Sequence, residues 1–407
     1  MQSDKNRHQG LVAIILAMIG SGSLVSTTVN VEVADPVTPP SQRDGWAGAE
    51  LASEGPPATQ LSDLVAGAEW GSSEGAQVYL WEYAQRINGG EHFPTFRQET
   101  GDCVSMGAAN AINYLQAVQI AQDGANHRFR PAYQPWIYGV SRTAEDIGAG
   151  KLGRSAGSVG RWAAETVQRY GVLPADADGV PDYSGQIADA WGYRGVPDEF
   201  FDDAEGFTVA TTAQVRSYED VRDAIASGYP VTVASNRGFR MQPREHRGRM
   251  WGVPSGQWNH QMCFIGVDDQ AESPRGRGGV YCLNSWGANA HGKPLNGEPP
   301  GGFWIDRQTV DAMVRQGDSW AFADFKGFRF RDLDFRIFGD EPQPIEVVDV
   351  VDIPEPPPLY EPICEAYGVH RDVAMGGGAL AFLGAGLAGG LALHRRSRRR
   401  PSRHSAA

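Results

Sequence analysis

Cysteine is scarce in this chain, with four residues at positions 103, 263, 282 and 364 of 407. Four widely spread cysteines do not build a disulfide scaffold, so stability must come mainly from an apolar core. No His/Cys cluster has zinc spacing, and no glycine-rich loop has the form of a phosphate cradle, so no metal or cofactor is implied. Net positive charge is also missing. A formal charge of −13 argues against a nucleic-acid groove. There is no internal repeat.

What is present divides the chain by composition. Residues 1–30 have a basic start, with Lys5 and Arg7, followed by the apolar run "LVAIILAMIG". That run is short for a membrane span and suits a signal peptide, with an uncleaved signal anchor as the alternative. Residues 31–75 are rich in Pro, Ala, Ser, Gly and acids and read as a flexible lead-in. A globular pattern fills 76–338. An acidic, proline-rich stalk follows at 339–372. Residues 373–394 are uncharged and long enough to cross a bilayer, and the arginine-rich tail 395–407 belongs on the cytoplasmic side. The globular part is therefore expected outside the membrane, exported and either anchored, at the cell surface or secreted.

Within 76–338 the hydrophobic period changes along the chain. "VSMGAANAINYLQAVQIA" and "SVGRWAAETVQRYG" have helical spacing, the second with Ser158 as a candidate N-cap and Gly171 as its stop. "SYEDVRDAIASGYP" is a third helix, opened by Ser217. Then "VTVAS", "HQMCFIGVDD", "GGVYCLNSW" and "GGFWIDR" read as strands separated by glycine-rich turns. Helices first and strands second imply an α+β fold.

The chemistry centres on "RQETGDCVSMGAANAINYL". Cys103 stands at the start of a helix, where unpaired backbone N–H groups stabilise a thiolate. Asp102 beside it opposes that charge, so a cationic partner is needed, and histidine is the usual one. "QWNHQMCFIGVDD" puts His260 at the head of a strand, and "VYCLNSWG" ends another strand in Asn284. Paired as antiparallel neighbours, these strands would set the Asn284 carbonyl against the His260 ring and fix its tautomer. Trp286 could cover that bond. Gln98 carries an amide that could reach an oxyanion beside the Cys103 N–H. Cys263 and Cys282 lie on the two strands expected to pair, either as two free thiols or as a disulfide if the register suits one.

The order Gln98, Cys103, His260, Asn284, with "NH" opening one strand and "NSWG" closing another, resembles the papain-like cysteine peptidases. "SVGRWAAETVQRYGVLP", "EDVRDAIASGYPVTVAS" and "GGFWIDR" are similar to further segments of that family. The resemblance implies a two-lobe fold: a helical N-terminal lobe, an antiparallel sheet or barrel as the C-terminal lobe, and a cleft between them. It implies Cys103 as nucleophile, His260 as base and acid, Asn284 as orienting residue, Gln98 at the oxyanion and Trp286 as shield. Gly157 and "VTVAS" would line the substrate side-chain pocket. The sequence departs from the family in having Val104 where tryptophan is usual, and Gln98 five residues before the cysteine. Residues 31–75 supply no long charged helix to serve as an inhibitory leader. The glycine-rich apolar tail with its arginine cluster resembles the Gly-Gly type of C-terminal sorting signal, which would make a sorting protease a partner. The expected activity is hydrolysis of a peptide or protein substrate. A papain-fold acyltransferase or transpeptidase and a catalytically silent binding module are the alternatives.

Overall fold

The computed structural model describes residues 13–18, 24–29, 45–61, 73–123 and 128–325. The chain divides into a unit ending at Val369 and a second from His370 to Ala407, which lies wholly outside the described residues. The stalk, the apolar tail segment, the arginine cluster and Cys364 likewise lie outside them. In the first 30 residues, strands β1 (Ala13–Met18) and β2 (Leu24–Val29) pair antiparallel with each other. No helix among the described residues is long and apolar enough to cross a membrane.

The helices are α1 (Ala49–Ala52), α2 (Leu80–Ile87), α3 (Cys103–Asp123), α4 (Gln134–Thr143), α5 (Gly160–Arg169), α6 (Gly185–Arg194), α7 (Phe201–Glu205), α8 (Tyr218–Ala226) and α9 (Arg307–Val314). The remaining strands are β3 (Gln77–Tyr79), β4 (Val209–Gln214), β5 (Val231–Phe239), β6 (Arg244–His246), β7 (Arg249–Trp251), β8 (Pro254–Ser273), β9 (Gly276–Leu283), β10 (Gly302–Asp306) and β11 (Ser319–Phe325). Eight of these nine helices precede β5, the first strand longer than six residues, so the α+β reading holds.

Helix α3 is the central element. It is buried on every side from Cys103 to Ile120, with the polar side chains of Asn110, Asn113, Gln116 and Gln119 included. Its small residues allow close approach to the sheet. A Cβ on Gly107 would come within 3.0 Å of the Gln261 side chain and 3.2 Å of the Met262 carbonyl. Its buried amides are used as well. Asn113 Oδ1 accepts from the Ala132 N–H at 2.9 Å, and Gln116 holds Arg130 by both its N–H and its carbonyl.

Nine strands form one sheet in the order β4-β11-β5-β8-β9-β10-β7-β6, with β3 joined to β8. All pairings are antiparallel except β10 with β7. The outer strands β4 and β6 do not meet, so the sheet is open; the closed-barrel option is not realised. The twenty-residue β8 shares one edge between two partners, β5 up to Phe264 and β3 from Gly266 to Asp268. At the junction Gly266 is required, because a Cβ there would lie 2.4 Å from the Trp81 ring.

Two local expectations resolve differently from their sequence signals. Ser158 does not cap α5: its hydroxyl bonds Ser141 at 2.8 Å, and the N-cap position is Val159. The first amides of α5, Gly160 and Arg161, instead donate to the carboxylate of Asp318 at 2.7 Å each. A fully buried carboxylate from the start of β11 thus takes over the capping role. The cysteine pair is settled by register. Cys263 lies opposite Leu283, and Cys282 lies opposite Phe264. The two sulfurs therefore leave opposite faces of the sheet, and both thiols are free and buried. Ser217, by contrast, opens α8 with a full capping box shared with Asp220.

Candidate active site

The docking of α3 on β8 builds the site. The Gln261 side chain donates to the Val104 carbonyl at 2.8 Å, tying the first turn of α3 to the strand. The Gln261 backbone N–H points at Cys103 Sγ, 3.4 Å away. Cys103 therefore lies against the β8 residue that follows His260. The helix starts at the Asp102 carbonyl, which accepts from Met106 N–H at 3.1 Å and Ser105 Oγ at 2.8 Å. The Asp102 carboxylate accepts from the Tyr183 hydroxyl at 2.9 Å. Burial and that carboxylate hold the Tyr183 phenol well above its ordinary range.

Antiparallel pairing of β8 and β9 brings Asn284, the residue after β9, beside His260. Their side chains meet at 2.7 Å, Nε2 to Oδ1. An amide oxygen only accepts, so Nε2 of neutral His260 carries the proton and Nδ1 keeps the lone pair. The Ser285 N–H also donates to Asn284 Oδ1, at 2.7 Å. Trp286 stacks on the His260 ring, with centroids 4.7 Å apart and planes at 27°. Burial lowers the His260 pKa to about 4, opposed by the bond to Asn284 and aided by the nearby His291.

Residues Phe96 to Gln98 run antiparallel to Ser285–Gly287. The Gln98 N–H bonds the Ser285 carbonyl at 2.8 Å, and the Gly287 N–H bonds the Phe96 carbonyl at 2.8 Å. The Gln98 side-chain carbonyl accepts from Ser285 Oγ at 2.8 Å and from the Trp286 indole at 3.1 Å. Its amide nitrogen is thereby turned the other way and donates to the Thr100 carbonyl at 3.0 Å. Gln98, His260, Asn284 and Trp286 thus form one buried cluster, with Cys103 adjoining through Gln261.

Gly157 stands next to this cluster but faces another part of the same chain. Residues 45–47, inside the segment read as a lead-in, lie across the site as an extended strap. The Gly45 carbonyl accepts from Ser158 N–H at 2.8 Å, and the Ala47 N–H donates to the Ser158 carbonyl at 2.9 Å. This is a parallel bridge centred on Trp46. The Trp46 N–H donates to the Asn259 carbonyl at 3.0 Å. Its indole donates to Asp318 Oδ2 at 2.8 Å. Gly45 lies so close to Cys103 that a Cβ on it would be 2.6 Å from the sulfur. A Cβ on Gly157, whose φ is +104°, would be 2.8 Å from the Gly45 carbonyl oxygen. The result is a Cys103 side chain with no solvent exposure.

Three participants were missed in the sequence. Trp46 had a faint signal, as an aromatic in a stretch otherwise rich in Pro, Gly, Ala and acids. His291 lies seven residues beyond Asn284 and bonds it, in a loop whose conformation the sequence does not reveal. Asp318 gave no signal, because three of its four partners lie 157, 158 and 272 residues away. Among the described residues no group of His, Cys, Asp and Glu could hold a metal ion.

No protein-family model and no curated protein matches the chain. Solved structures do show similarity. Xylellain, a cysteine protease from Xylella fastidiosa, is 17% identical, with 62% of this chain and 88% of that one covered at a TM-score of 0.42. The Amb a 11 cysteine protease of ragweed pollen, in its proform, is 15% identical, with 69% and 75% covered at 0.44. Bromelain from Ananas comosus, with the E64 inhibitor, is 16% identical, with 61% and 98% covered at 0.40. All three TM-scores fall below 0.5, so the chemistry has to be read from the site's own residues.

Proposed function

We propose that the protein is a cysteine-type peptidase that cleaves peptide bonds through a thioester on Cys103. The observation that carries this reading is the placing of a helix-terminal thiol against Gln261, the residue after His260, whose bond to Asn284 fixes the histidine tautomer. With Nε2 committed to Asn284, Nδ1 of His260 is the nitrogen able to take the thiol proton. The thiolate then attacks the substrate carbonyl carbon. The oxyanion is met by the Cys103 backbone N–H, with the Gln98 amide as second donor. His260 returns its proton to the departing amine, leaving an acyl thioester. Water gives a proton to the same nitrogen, attacks the thioester and releases the carboxylic acid, and Cys103 recovers its proton. Trp286 keeps water off the His260–Asn284 bond, and Gly157 belongs to the substrate-binding wall.

Substrate cannot reach Cys103 while residues 45–47 lie over it, so the strap must move first. We place the enzyme outside the cytoplasm on the strength of its N-terminal pattern, tethered or sorted by the tail at 373–407. Fractionation of intact cells with N- and C-terminal mapping of the mature chain tests that placement.

The activity is tested with a Trp46→Ala protein, incubated with mixed peptides and an excess of a simple amine, and read by product mass. Free carboxylate products that vanish with Cys103→Ala are expected. Products carrying the amine would make it an acyltransferase. A folded protein that yields neither is a binding module.

A further inference from the structure

We infer that His291 is a positioning residue for the Cys103–His260–Asn284 site, holding the Asn284 amide so that its oxygen faces His260. The inference rests on the peptidase reading for its kinetic consequence, but the geometry stands apart from it. The argument starts at a backbone carbonyl. His291 Nδ1 lies 3.0 Å from the Met241 carbonyl oxygen, which can only accept. Nδ1 must therefore carry the proton, and Nε2 of the neutral ring carries the lone pair. That lone pair lies 2.8 Å from Asn284 Nδ2, a group that only donates. The opposite end of the amide is then the oxygen, 2.7 Å from His260 Nε2. Three consecutive bonds thus transmit one polarity from Met241 to His260, and none of them can be reversed without setting two donors or two acceptors face to face.

The Ser285 N–H also holds Asn284 Oδ1, at 2.7 Å. It fixes only the oxygen end, and an amide held at one end can still pivot. His291 holds the other end. The ring is itself fixed: it is 1% exposed and lies edge-on to Phe303 at 4.7 Å, with Trp286 at 6.0 Å and Trp258 at 6.4 Å. A residue that merely filled this aromatic space would not need two nitrogens aimed at a carbonyl and an amide. The consequence for the reaction is directional. An amide that pivots lets the His260 ring swing, and the ring nitrogen that takes the Cys103 proton loses its aim.

Two measurements on the full-length protein test this. The first is the tautomeric state of both rings at neutral pH, by long-range proton–nitrogen correlation of a nitrogen-15-labelled chain. His291 is expected as the Nδ1–H form and His260 as the Nε2–H form. Finding His291 as the Nε2–H form overturns the inference outright, without any variant. The second compares His291→Phe, which keeps the ring packing and loses both polar bonds, with His291→Gln, which keeps an acceptor within reach of Asn284. Both are made in the Trp46→Ala background, alongside Cys103→Ala. For His291→Phe, kcat is expected to fall roughly 10- to 100-fold with KM little changed, and the His260 tautomer signals to become mixed. For His291→Gln, kcat should stay within a few-fold of its parent. If folded His291→Phe keeps its parent's kcat and His260 signals, His291 is a core residue only. If the parent itself has no Cys103-dependent turnover, the peptidase reading fails, while the tautomers still decide the role of His291.

Discussion

At the residue scale, two buried histidines give the molecule a pH dependence whose sign follows from their surroundings. Burial lowers both His260 and His291 to about 4, from an ordinary value of 6.5. Between those values the unfolded chain binds protons that the folded chain does not. Their contribution to stability is therefore complete above about pH 6.5 and is lost as pH falls toward 4, roughly 3 kcal/mol for each histidine. Asp318 works in the opposite sense. Burial raises its carboxyl above the ordinary value despite four hydrogen-bond donors, so the folded chain binds this proton before the unfolded chain does and its share of stability grows as pH falls. The histidine share can be isolated by thermal unfolding of the wild type and His291→Gln from pH 7 to pH 4. The wild type should lose stability more steeply, and equal slopes would contradict the buried neutral state of His291.

Trp286 offers a second test at the same scale. Its indole N–H holds the Gln98 carbonyl, and its ring covers His260. Trp286→Phe keeps a ring over the histidine and removes one donor from Gln98. Trp286→Ala removes both. In the Trp46→Ala background, peptide turnover should fall modestly for Phe and by roughly 100-fold for Ala. Equal losses would mean that the hydrogen bond to Gln98 matters and the cover does not.

At the scale of elements, the strap at 45–61 is held by directional bonds along its length. Beyond Trp46, the Arg161 guanidinium donates to the Pro56 carbonyl at 2.8 Å, and Gln214 N–H donates to the Thr59 carbonyl at 2.8 Å. Leu61 is 2% exposed. Trp46 is the anchor nearest the thiol. Replacing it by alanine removes its indole bond to Asp318 and its buried ring, and leaves the rest of the strap attached. Alkylation of Cys103 by iodoacetamide, followed by mass spectrometry of the intact chain, should speed up by roughly tenfold or more. An unchanged rate would show that Trp46 does not govern access.

The start of α5 depends on a single distant carboxylate. Asp318 accepts from Gly160, Arg161, Trp46 and Trp320. Asp318→Leu strands these four donors in the interior and should cost at least about 3 kcal/mol in denaturant unfolding. Asp318→Asn keeps one acceptor oxygen and should cost less. A leucine variant as stable as the asparagine variant would refute the capping role.

At the scale of the whole molecule, the sequence was most legible where structure is local. The helical period of α3, the capping box of α8 and the apolar runs of strands β8 and β9 are written in neighbouring residues. The Cys103, His260 and Asn284 elements could be ordered along the chain because helix starts and strand ends leave local marks. Long-range arrangement was not legible. Nothing near Asp318 announces that it caps α5, and Ser158, with the better local capping signal, was diverted to Ser141. The open sheet follows from outer strands β4 and β6 that lie far apart in its order, which no single strand encodes. The strap was hidden because its composition resembles a linker, while its hold on the domain comes from backbone bonds and one tryptophan.

The measurement that bears most directly on the central claim is active-site labelling with a biotinylated peptidyl epoxide. The full-length chain, its Trp46→Ala form and the same form with His260→Ala would be compared at neutral pH, with the labelled residue mapped. Labelling confined to Cys103, faster in Trp46→Ala than in the wild type and abolished by His260→Ala, is the predicted result. A folded Trp46→Ala protein whose Cys103 reacts no faster with His260 present than without it would contradict the account.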